Sequence, residues 1–282
     1  VTDELKLALY GLHRGSSADP DTLARRAQRA EQAGFESLWV GDHLLVPPSK
    51  PGEPAGQDRL EAVTVLAHLA GVTNTVGLAA GVIVAPQRQP VLLAKQLTTV
   101  DHLAKGRLIV GIGVGYVEFE LRALGASLAD RAARTDECVA ALRALWAGTP
   151  VFDGRFVSFA GEQYPRPTTR PHPPIVIGGT SPAALRRAIT TGNGWYGFAM
   201  SVDATAATLA ELRAAAATVP RPAELGELEI SITPDHVPDL DTARRYAELG
   251  VHRLIVQPPT MDGTAIDDLI DTVSDTLIGR LG

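Results

Sequence analysis

The chain has 282 residues, 45% of them hydrophobic and 21% charged, with a formal net charge of −6. That length suits one large α/β barrel or two ordinary domains, and the acidic balance argues against a nucleic-acid or polybasic membrane partner. A single cysteine, Cys138, excludes a disulfide framework and a cysteine-based metal cluster. No apolar run approaches the roughly 20 residues that span a bilayer. No basic-then-apolar leader appears in VTDELKLALYGLHRGS, so a soluble cytoplasmic protein is expected.

Residues 5–10 read as a strand, 19–32 as a helix ended by Gly34, 37–40 as a second strand and 61–70 as a helix. Residues 76–84 are apolar and rich in β-branched side chains, the pattern of a strand buried on both faces. Pro86 and Pro90 stop it, and Pro90 suits the first position of a helix. Leu93, Leu97, Val100 and Leu103 recur at helical spacing, and Gly106 offers a left-handed end. Residues 108–112 form a second apolar strand, which must run parallel to the first. Past Gly115 the rhythm breaks. A helix over about 129–146 contains Cys138, read as ordinary packing. Short strands over 151–159 turn at Asp153-Gly154, and YPRPTTRPHPP is an extended loop. Strands at 175–177, 195–198, 229–232 and 253–256 then alternate with helices at 182–191, 204–217, 241–248 and 267–281.

The pattern is eight strands, each followed by a helix, with an insertion over about residues 116–173. It predicts a single-domain (β/α)8 TIM barrel over residues 1–282 rather than an open doubly wound sheet, with its site at the carboxyl ends of the strands. Four features lie there. Gly81 interrupts its strand, which marks a bulge or a close backbone approach. Gly111, Gly113 and Gly115 clear one face of the next strand, either for a ligand or for tight packing; no helix opens where a dinucleotide fingerprint requires one. Asp42 and His43 follow the second strand. The histidine, with an ordinary pKa of about 6.5, suits proton exchange, Asp42 can accept a ligand's hydrogen bonds, and the alternative is a loop cap. Gly178, Gly179, Thr180 and Ser181 precede Pro182 at a helix start, which makes either an anion site or a plain cap. Trp195 reads as a core aromatic.

Three segments, AEQAGFESLWVGDH, AAGVIVAPQRQPVLLAKQLTTVDHLAKGRLIVGIGVGY and RPHPPIVIGGTSPAALRRAITTGNGW, resemble the bacterial-luciferase-like family of flavin- and deazaflavin-dependent oxidoreductases. The likeness runs from about residue 25 to 200 and is greatest to the subgroup that uses coenzyme F420. It implies a non-prolyl cis peptide at Gly81–Val82 against the cofactor's central ring, Asp42 near that ring, and His43 handling the substrate proton. It also implies Gly113, Val114, Gly115 and Tyr116 along the ring and ribityl chain, and Gly178, Gly179, Thr180 and Ser181 on the phosphate. Sugar-phosphate dehydrogenases of the family carry a glutamate where this chain has Tyr116, which argues against such a substrate. The expected activity is hydride transfer between the deazaflavin C5 and a small organic molecule. The rivals are an FMN-dependent monooxygenase using oxygen and a non-catalytic cofactor-binding protein. Family habit suggests a homodimer, and the alanine- and arginine-rich composition an actinobacterial source.

Overall fold

The apolar runs become strands because each is covered on both faces, as a parallel sheet requires. The computed structural model describes residues 5–46 and 56–281. In chain order the elements are β1 (Lys6–Tyr10), α1 (Pro20–Ala33), β2 (Ser37–Val40), α2 (Ala62–Val72), β3 (Gly77–Ala80), β4 (Ile83–Val84), α3 (Pro90–Leu103), β5 (Leu108–Gly113), α4 (Glu118–Ala123), α5 (Arg131–Ala147), β6 (Val151–Asp153), β7 (Ser158–Ala160), β8 (Ile175–Gly178), α6 (Pro182–Thr191), β9 (Gly194–Met200), α7 (Val202–Ala216), β10 (Glu229–Pro234), α8 (Leu240–Glu248), β11 (Arg253–Val256) and α9 (Ala265–Thr276). The wall runs β1, β2, β3, β5, β8, β9, β10, β11 and back to β1, parallel throughout, with β4 prolonging β3. This is a closed (β/α)8 barrel. Every residue of β2 and of β5 is buried.

Helix starts sit where short polar side chains accept the first free N–H groups. Asp19 caps α1 through Thr22, Gln89 caps α3 through Leu92, and Ser181 caps α6 through Ala184. Gly34 ends α1 at φ +93°, in the left-handed region open to glycine.

Three sequence expectations change. The single strand over 76–84 is two, because the chain gains a residue between them. Leu78 pairs with Leu108 at an offset of 30, whereas Ile83 pairs with Ile112 at an offset of 29. That extra residue is a bulge at Gly81–Val82, whose peptide bond is cis. Second, the segment after β5 opens with the short helix α4, where the sequence pattern marks no element. Gly154 begins a turn of four residues, held by Glu137 accepting from the N–H groups of Arg155, Phe156 and Val157 at 2.8, 2.6 and 2.7 Å. Third, α9 stops at Thr276, before Gly279 at φ +73°. No helix among the described residues is long and apolar enough to cross a membrane.

Candidate active site at the carboxyl end of the barrel

The bulge sets the floor of the barrel mouth. A Cβ on Gly81 would stand 2.9 Å from the Trp39 ring and 3.3 Å from Tyr196, so only glycine lets the chain lie on these two rings. They pack against each other with centroids 5.4 Å apart. The Val82 side chain then enters space vacated by neighbouring glycines. A Cβ on Gly178 would meet a Val82 methyl at 2.8 Å, and one on Gly113 would overlap the other methyl. The missing side chains of Gly111, Gly113 and Gly178 therefore serve packing of the bulge, and the half-exposed outer side of Val82 faces the mouth. Gly115, at φ +73°, turns the chain out of β5, and its carbonyl accepts from Arg131 at 2.6 Å. Val114 is half-buried and Tyr116 is 75% exposed.

His43 lies past β2, with its ring 28% exposed. Its Nδ1 donates to Oε2 of Glu120 at 3.0 Å, and the other oxygen of Glu120 accepts the N–H of Leu45 at 2.9 Å. The Glu120 side chain is 1% exposed. Packing puts it there: the adjacent Leu121 joins Val84 and Ala126 in a small apolar cluster that pins α4 on β4. With Nδ1 engaged, Nε2 is the free nitrogen, and the Tyr116 hydroxyl stands 3.5 Å from it. Nothing in the sequence pattern marks Glu120 as part of this site.

Asp42 turns inward. Its carboxylate pairs with Arg88 and accepts the N–H of Val84 at 3.0 Å, and its side chain is fully buried. Burial pushes this carboxyl up, against the pull of Arg88 and the Val84 N–H. Arg88 also meets Glu61 at 2.8 Å. Asp42 thus ties the end of β2 to the strand beyond the bulge.

At the end of β8, Gly179 takes φ +116°, and its carbonyl accepts from the indole N–H of buried Trp195 at 2.8 Å. The N–H of Gly179 is used by Tyr196, and Ser181 caps Ala184. Thr180, Ser181 and Ala183 are exposed, and none of their N–H groups bonds to a described residue. These donors at a helix N-terminus suit a phosphate, and Phe198, 50% exposed beside Tyr10 and Tyr196, adds an apolar wall. Donors for an anionic tail, an apolar floor at Val82 and aromatic walls fit a flavin or deazaflavin. His13, just after β1, is 2% exposed with its ring 5.5 Å from Tyr10. Burial, with Arg14, Arg59 and His43 nearby, pushes His13 down to about 3, so it is neutral at working pH. Cys138, 1% exposed, is pushed up by burial to about 12 and is packing.

Comparison with known proteins agrees with this architecture. An uncharacterized Mycobacterium tuberculosis protein, Rv0953c, is 29% identical over 266 residues, covering 89% of this chain and 92% of its own. An FMNH(2)-dependent dimethylsulfone monooxygenase from Pseudomonas putida is 30% identical over 216 residues, covering 75% of this chain and 58% of its own. The structure of an F420-dependent secondary alcohol dehydrogenase with an F420-acetone adduct superposes with a TM-score of 0.79 at 16% identity, covering 99% of both chains. The family model for luciferase-like monooxygenases matches residues 7–264, and the chain belongs to that family.

Proposed function

We propose that the protein is a coenzyme F420-dependent oxidoreductase that moves a hydride between the deazaflavin C5 and a small organic substrate. The observation that carries this reading is the His43–Glu120 pair at the mouth, beside the Gly81–Val82 bulge. When bound, the deazaflavin accepts or supplies the hydride. Each such transfer at an alcohol or carbonyl carbon moves one proton at the oxygen, and this chain offers a positioned group for it. Glu120 holds Nδ1, which directs Nε2 of His43 outward to take the proton of an alcohol or return it to a carbonyl oxygen. Tyr116, in edge contact with His43 at 5.9 Å between centroids, walls this position and offers a hydroxyl to the same oxygen. Val82 and the rings beneath it fix the floor, and the N–H groups after Gly179 hold the phosphate. Asp42 acts at one remove, through Arg88 and Val84. Most of the rate would come from holding the reactants in contact.

The similarity to the Pseudomonas putida enzyme supports a second reading, an FMN-dependent monooxygenase that uses reduced flavin and oxygen. The deciding experiment follows reoxidation of reduced F420 without oxygen, against a panel of aldehydes and ketones. Turnover by the wild type and its collapse in His43→Asn support the reading. Oxygen uptake with reduced FMN, and no anaerobic turnover of reduced F420, replaces it with the second.

A further inference from the structure

Residues 178–181 stand at the end of β8, four strands round the wall from β1 in either direction. The far side of the mouth, after β1, carries charge of another kind. Arg14 and Arg59 face each other across an isolated antiparallel bridge. It is fixed by the N–H of Leu60 on the His13 carbonyl at 2.8 Å and the N–H of Gly15 on the Asp58 carbonyl at 3.0 Å. Both arginines are half-buried. The buried Arg26 and Arg253, and the half-buried Arg88, each meet a carboxylate. Among the described residues Arg14 and Arg59 meet none, and Nε of Arg14 is buried without a hydrogen-bond partner. The Arg14 guanidinium lies over the Tyr10 ring, 5.7 Å from its centroid. Burial and the nearby Arg59 both act against the charge of Arg14.

Arg14 also lines a cleft of about 550 Å³ between the ends of β1, β10 and β11, with Gln57, Gln257, Pro258 and Met261. Among the described residues the one carboxylate in its lining, Asp235, meets Nδ1 of its neighbour His236 at 2.7 Å. On the other side of Arg14 is β2, which leads to His43. Two like charges held together without a counter-ion repel, and guanidinium forks match the geometry of carboxylate and phosphate oxygens.

We propose that Arg14 and Arg59 grip an anionic group on the substrate, so that the substrate is a small organic acid. Its carboxylate or phosphate lies between the arginines, and its reacting carbon reaches toward His43. The substrate role rests on the oxidoreductase reading; the anion site does not. The position opposite residues 178–181 separates this site from the cofactor's phosphate.

The test is calorimetric titration of the cofactor-saturated full chain, at low ionic strength, with benzoate, inorganic phosphate and the neutral benzamide. Binding of benzoate or phosphate but not of benzamide is expected, and the better anion identifies the headgroup. Arg14→Gln and Arg59→Gln should each weaken that binding by about tenfold or more, the loss of one charge-assisted hydrogen bond. Arg14→Lys should retain part of it. Cofactor affinity should not change in either glutamine variant. The proposal is overturned if neither anion binds, if benzamide binds equally, if the folded variants bind like wild type, or if cofactor affinity falls instead. Should no cofactor bind, the same titration on the chain alone still decides the anion site, so the two failures are distinguishable.

Discussion

The contact between Val82 and Gly113 gives a measurable coupling. In Gly113→Ala, the new methyl overlaps Val82 Cγ2, and the displaced atom is the end of a short β-branched side chain with little freedom to move. Overpacking of this kind costs about 1–3 kcal/mol. Val82→Ala removes methyl groups from a half-exposed site and costs about 1 kcal/mol at ~0.8 kcal/mol per buried carbon. In the double variant the methyl added at position 113 occupies space that the Val82 side chain has left. The combined loss should therefore fall short of the sum by about 1 kcal/mol or more, as for side chains in direct contact. Urea unfolding of the four proteins measures this. In cofactor titrations, Gly113→Ala should bind more weakly than wild type, because Val82 is pushed into the mouth, and the double variant should recover. Additive stabilities, or a Gly113→Ala protein as stable as wild type, would refute the packing role given to the glycine face.

Other outcomes follow from the same geometry. His43→Asn should lower kcat by about 10²–10⁴-fold, the range for losing a general acid–base group. Glu120→Gln should lower kcat less, leave KM near wild type and alter the pH profile, which a purely structural glutamate would not do. Asp42→Asn leaves Arg88 with Glu61 alone, and thermal unfolding should show a loss of about 3 kcal/mol, the scale for breaking a buried ion pair. His13 is held down to about 3, so on acidification below about 6.5 the unfolded chain takes up a proton that the folded chain refuses. Stability should therefore fall with decreasing pH by about 1.4 kcal/mol per unit from this residue. His13→Asn should flatten that slope, and an unchanged slope would contradict the burial argument.

The barrel was legible because short strand-like runs alternate with helical segments along the chain, the plainest being residues 37–40 and 108–112. The break at Gly81–Val82 was legible as a glycine within such a run, but the register shift that makes it a bulge depends on pairing with β5. The glycine alternation in β5 left ligand and packing open. Only the position of Val82, folded across from another strand, shows what fills that face. Glu120 carries no local signal, since the rhythm of elements breaks after Gly115 and its burial comes from Leu121 docking on Val84. From the sequence Asp42 reads as a ligand acceptor or a loop cap, because its partner Arg88 follows the next strand of the wall. Arg14 and Arg59 are distant in sequence, and nothing in either segment announces the bridge that joins them.

Whether this mouth takes a deazaflavin is decided by a fluorescence-quenching titration against F420 and FMN, each oxidised and reduced. Micromolar or tighter binding of F420 and weak binding of FMN are expected of a deazaflavin site. Preference for FMN, or no binding of either, would contradict it.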